Sequence, residues 1–97
     1  MLRRARVNAR HLLIGGRVQG VGYRDWLLRE ATRLGLSGWV RNRGDGRVEA
    51  VVAGPEPLVQ ALLSACRRGP ALARVERIEE NFAEVPEEPG FRRRPSV

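Results

Sequence analysis

The chain has 97 residues, 42% of them hydrophobic and 30% charged, with a net charge of +7. That length makes a single domain, expected over 1–97, able to bury about 60–65% of its unfolded surface. No apolar run approaches the ~20 residues of a membrane span, and the single cysteine, Cys66, excludes an internal disulfide and fits a reducing cytoplasm.

The basic start, Met1-Leu2-Arg3-Arg4-Ala5-Arg6, has no apolar region behind it and is not a secretory signal. A flexible basic lead is expected over 1–9. Residues 10–18 read as a strand, with Leu12, Ile14 and Val18 on one side and His11, Leu13 and Arg17 on the other.

The run that follows, Gly16-Arg17-Val18-Gln19-Gly20-Val21-Gly22-Tyr23-Arg24, is a glycine-rich turn between a strand and a helix. Glycine lets a backbone approach a ligand closely. Successive amides at a helix N-terminus, helped by the helix dipole, form an anion site. Arg24 falls in the first turn, where its guanidinium can fork onto the same anion. The segment reads as a cradle for a small oxyanion such as phosphate, although such turns also serve tight packing alone. It is neither of two common phosphate loops. A P-loop would need Lys-Ser or Lys-Thr at Val21-Gly22, and a dinucleotide loop would need glycine at Asp25.

A helix is expected over 22–34, with Tyr23, Leu27, Ala31 and Leu34 on its apolar face and Asp25 paired with Arg29. Gly35 would end it. A second strand, about 36–42, and a third, about 47–53, flank the turn Arg43-Gly44-Asp45-Gly46 as a hairpin. A second helix follows from Pro55 to about 67, with Leu58, Leu62 and Ala65 as its core stripe and Leu63 and Cys66 beside it. The fourth strand, about 73–80, has Val75 and Ile78 out of alternation, which points to a bulge or an edge. Residues 84–90 are acidic, proline-rich loop, and Phe91-Arg92-Arg93-Arg94 suits a short fifth strand. The order β-α-β-β-α-β is an α+β, ferredoxin-like plan, with two helices on one face of an antiparallel sheet.

The second unusual run is Gly38-Trp39-Val40-Arg41-Asn42-Arg43-Gly44-Asp45-Gly46-Arg47-Val48. Taken alone, Asn42 is a turn residue. Together the two runs resemble the acylphosphatase family, which hydrolyses acyl phosphates. Its first signature, Gly-x-Val-Gln-Gly-Val-x-(Phe/Tyr)-Arg, is matched by Gly16 to Arg24. Its second is matched by Gly38, Trp39, Val40, Asn42, Gly46, Val48 and Gly54. The similarity covers about residues 10–94. It implies that Arg24 binds the substrate phosphate, that Asn42 positions the attacking water, and that the amides of Gln19, Gly20, Val21, Gly22 and Tyr23 complete the cradle. Arg93 and Arg94 stand where the family usually alternates apolar residues.

Such residues suit that chemistry. An acyl phosphate already has a good carboxylate leaving group, so the protein need only hold the phosphoryl group, stabilise its charge and aim water in line. Rival chemistries find no residues. Six positions after Cys66 stands Leu72 rather than arginine, and neither Asp25 nor Asp45 belongs to an Asp-x-Asp pair. His11 stands alone, and no Cys or His cluster could hold zinc, so a metal-free and cofactor-free hydrolase is expected. Its substrate would be a small acyl phosphate, with inorganic phosphate or sulfate as competing anions. A cytoplasmic monomer without nucleic-acid or membrane partners is expected. The net charge leaves a nucleic-acid-binding module as an alternative, but strands 47–53 and 73–80 carry no aromatics on which bases could stack. A second alternative is an accessory domain of a larger carbamoyl-transfer protein. The all-arginine basic content fits codon bias in a GC-rich genome as well as a functional role.

Overall fold

The computed structural model describes residues 7–97. Along the chain lie β1 (Val7–Arg17), α1 (Tyr23–Arg33), β2 (Ser37–Asn42), β3 (Val48–Pro55), α2 (Glu56–Arg68), β4 (Arg74–Phe82) and β5 (Phe91–Arg93). The strands make one sheet in the order β4-β1-β3-β2-β5. This is the ferredoxin-like plan with its fifth strand present.

Alternation with period two sends Leu12 and Ile14 of β1, Val40 of β2, and Val48, Ala50 and Val52 of β3 to one face. They are fully buried against Tyr23, Leu27 and Ala31 of α1 and Val59, Leu62 and Cys66 of α2. Each large side chain taken out of water here contributes about 1.5–3 kcal/mol. In α2 the buried stripe is Val59, Leu62, Leu63 and Cys66, not the expected Leu58, Leu62 and Ala65. Spacings of three and four from Val59 satisfy the helical period, and that face lies one residue round from the expected one.

The sheet departs from the expected antiparallel pattern at β5, which runs parallel to β2 with Phe91 opposite Gly38. The cause is where β4 ends. Phe82 lies opposite Arg10, near the start of β1, and β2 begins at that same end of the sheet. Residues 83–90 cross this end, so the chain re-enters beside the start of β2 and must run the same way.

Two strand boundaries and one ion pair differ from expectation. β1 begins at Val7, so 7–9 belong to the sheet, while 1–6 lie outside the described residues. Ala9 continues the alternation opposite Ala53, and Asn8 Nδ2 donates to Glu56 Oε2 at 2.9 Å. β4 is an edge strand and also bulged, with a register shift between Gly15 and Gly16. It runs on to Phe82, an exposed aromatic beyond its expected end, whose ring lies 4.4 Å from the Arg10 guanidinium. Asp25 pairs with Arg93 at 2.5 Å, not with Arg29.

The face away from the helices mixes apolar residues such as Ala9, Val51 and Ala53 with charged ones. Glu49 is buried there, 2.7 Å from His11 Nε2 and 2.7 Å from Arg41 Nε. Burial pushes its carboxyl up, but the hydrogen bonds and charge of His11 and Arg41 outweigh burial and hold it below its ordinary range. His11 is thus a structural partner of Glu49.

Candidate active site

The loop between β1 and α1 turns on two glycines in the left-handed region, Gly20 at φ 73° and Gly22 at φ 79°. Gly22 is the N-cap of α1 and supplies no side-chain cap. The first helical hydrogen bond runs from Trp26 N to the Gly22 carbonyl at 3.0 Å. The amides of Gly20 to Arg24 have no backbone acceptor among the described residues, as expected of a helix N-terminus. They form a concentration of free donors at the positive end of the α1 dipole.

Residues of this loop border a pocket of about 170 Å³. Gln19, Gly20, Gly22, Tyr23 and Arg24 line it on the loop side, and Asn42 closes it from the end of β2. The fold therefore brings together the two runs singled out in the sequence. Val21 is the exception. It does not line the pocket, and its side chain packs against the core. Val18 and Asp25 also border the pocket, and neither was anticipated. The signal for Asp25 was its place beside Arg24 in the first helical turn.

Each pocket residue is held by a different part of the fold. Gln19 Nε2 donates to the carbonyls of Arg43 and Arg47 at 2.7 and 2.9 Å, which ties the loop to the β2–β3 turn. That turn is fixed in its own right, because Asp45 accepts from the Arg47 amide at 3.1 Å and from the Arg47 guanidinium at 2.7 Å. These bonds, with Arg43, hold the Asp45 carboxyl well below the usual carboxylate range. Tyr23 sends its ring into the core, and its hydroxyl donates to the Cys66 carbonyl at 2.7 Å. The residue four places after Cys66 is Pro70, which has no N–H to offer that carbonyl. Tyr23 thus caps α2 while anchoring the start of α1.

Arg24 is half-buried and forms no ion pair with another described residue. Asn42 is held in place through its backbone, whose carbonyl accepts from Val97 N at 3.1 Å. Its side-chain Oδ1 is buried and has no hydrogen-bond donor among the described residues. Most buried polar atoms are partnered within the protein. Here Arg24, the loop and Asn42 border one small pocket.

Other groups do not join them. The Cys66 thiol is pushed up to about 12 by burial, which leaves no thiolate at neutral pH. His11 lies on the other face of the sheet. Among the described residues no three His, Cys, Asp or Glu side chains meet in a metal-binding group. A larger hollow of about 410 Å³ lies beside Trp39 but is bordered by Glu84, Glu87 and Glu88. Arg92 and Arg94 border it too, but Arg92 is paired with Glu88 and Arg94 lies over the Trp39 ring, and it has no helix N-terminus among its lining, so the smaller pocket is the chemical candidate.

Comparison with known proteins identifies the family. A family model described as "Acylphosphatase" matches residues 10–93. An acylphosphatase of Acidiphilium cryptum is 63% identical over 86 residues, covering 89% of this chain and 94% of the relative. The structure of an acylphosphatase from Coxiella burnetii superposes with a TM-score of 0.86 at 32% identity, covering 91% of this chain and 93% of that one. Full-length HypF contains a similar region, with a TM-score of 0.89 at 29% identity, covering 97% of this chain but 12% of HypF.

Proposed function

This chain belongs to the acylphosphatase family, and on that premise we propose how its own residues cleave an acyl phosphate to a carboxylate and inorganic phosphate. The loop amides and Arg24 hold the phosphoryl group. The amides supply a ring of donors fixed before substrate arrives, and the guanidinium forks onto two oxygens. Charge that spreads over the equatorial oxygens in the transition state meets donors already in place.

Asn42 positions the attacking water. A water hydrogen-bonded to the Asn42 side-chain amide keeps a lone pair to turn toward the phosphorus held by the loop. As water adds, the bond between phosphorus and the acyl oxygen breaks, and the electron pair leaves with the carboxylate. Asn42 is too weak a base to keep the water's proton, which passes to a phosphate oxygen. No step calls on a metal or cofactor. The observation that carries this reading is that Asn42, Arg24 and the loop residues border one small pocket. A monomer working in the cytoplasm, with phosphate or sulfate as competing anions and without nucleic-acid or membrane partners, completes the proposal.

The test is hydrolysis of benzoyl phosphate with and without EDTA, by the parent protein and by Arg24→Ala and Arg24→Lys. Full activity in EDTA is expected. Both substitutions should lower kcat by about 10²–10³ and weaken inhibition by phosphate, because a point ammonium cannot replace the fork. Metal-restorable loss in EDTA, or a lysine variant as active as the parent, would overturn the scheme.

A further inference from the structure

Asp25 is the one acid bordering the pocket. A carboxylate at that place competes with a phosphoryl group for the same positive helix end and repels it. The fold supplies a counter-charge from far along the chain. Arg93 of β5 lies 2.5 Å from Asp25 Oδ1, across a separation of 68 residues. The three consecutive arginines there are used in three ways. Arg92 pairs with Glu88, Arg94 lies 4.6 Å over the Trp39 ring, and Arg93 turns toward α1. Register explains the difference. Arg93 stands opposite Val40, whose side chain is in the core beneath the helices, and its neighbours alternate to the other face.

We propose that Arg93 is a positioning residue for phosphate binding: it holds the Asp25 carboxylate off the loop amides and cancels its charge beside Arg24. The inference rests on the reading that this pocket holds the phosphoryl group. Arg93 itself does not border the pocket and acts through Asp25. Both side chains of the pair are about half exposed, so the pair adds little to stability. Its consequence is local. It decides whether the carboxylate faces the cradle or leaves it.

The experiment is a double-mutant cycle of Arg93→Gln and Asp25→Asn, read as competitive inhibition by inorganic phosphate and as benzoyl phosphate kinetics, with melting temperature recorded throughout. Arg93→Gln should raise the phosphate inhibition constant and KM by about 3- to 10-fold at low salt, as expected for one screened charge near a phosphate dianion. The effect should shrink at high salt, and kcat should stay within about 2-fold. Asp25→Asn should bind phosphate at least as tightly as the parent. The double variant should match Asp25→Asn alone, and Arg93→Lys should restore most of the parent's affinity. If Arg93→Gln weakens phosphate as much in the Asp25→Asn background as in the parent, or changes melting temperature alone, the inference is overturned. A parent protein that phosphate does not inhibit overturns the pocket reading itself, and this inference with it. A parent that is inhibited equally with and without Arg93 overturns only the inference.

Discussion

Replacing Asn42 by alanine separates a residue kept for chemistry from one kept for structure. In the folded protein its Oδ1 is buried without a donor among the described residues. A buried acceptor left unpaired costs about 1–3 kcal/mol. Removing the amide therefore removes a penalty along with some packing, and Asn42→Ala should be as stable as the parent or up to about 1 kcal/mol more stable. For a domain of this size each kcal/mol moves the melting temperature by about 4–8 °C. Activity should move the other way. Loss of one positioning or charge-stabilising group costs about 10²–10³ in kcat, or roughly 2.7–4 kcal/mol of barrier. Phosphate should still inhibit with near-parent affinity, since the lost contact is to water and matters chiefly in the transition state. Thermal unfolding by circular dichroism, benzoyl phosphate turnover and phosphate inhibition, measured on one preparation, give all three quantities. A variant that melts lower by more than about 4 °C while turning over within a few-fold of the parent would refute the reasoning. Asn42 would then be a turn residue.

Tyr23→Phe should cost about 1–2 kcal/mol, because the Cys66 carbonyl loses its donor; an unchanged urea midpoint would show that the hydroxyl is dispensable. Burial, with the neighbouring Cys66, raises the Tyr23 phenol far above its ordinary value of 10.0. Its stabilising effect is therefore whole below that pH and declines above it, where the unfolded chain ionises first. The gap between parent and variant should narrow as pH rises past that point, and a gap that widens would reverse the assignment. Gly38→Ala should be severe, about 2–6 kcal/mol, because at φ 134° an added Cβ would overlap the Val51 carbonyl. Gly46→Ala, at φ 91° with nothing near its Cβ, should cost only the backbone strain of about 1–2 kcal/mol; equal losses in the two variants, by denaturant titration, would contradict the contact-based account.

Much of this protein was legible because its chemistry lies in short, local runs. Glycines before a helix dictate a backbone turn wherever they occur, so Gly20, Gly22 and Arg24 could be read as a cradle from neighbouring residues alone. Period two in β1 and β3 and the period of α1 marked most of the core. Where two faces of a helix are both apolar, as in α2, period alone does not choose. The choice of Val59 over Leu58 belongs to the sheet beneath.

Tertiary structure decided what depends on distant partners. The direction of β5 follows from the end of the sheet at which β4 stops, which no local pattern encodes. The pairing of Asp25 with Arg93 overrode the helical spacing that favoured Arg29, because sheet register carries Arg93 to α1. Read alone, Asn42 was a turn residue, and only the family resemblance joined it to Arg24 in one site. The β1–β3–β2 pairing, with Gln19 bonded to the turn after Asn42, brings both to one pocket. Local rules of backbone and periodicity act within a few residues, whereas a site assembled from three elements exists only after long-range pairing has paid the entropy of closing the loops between them.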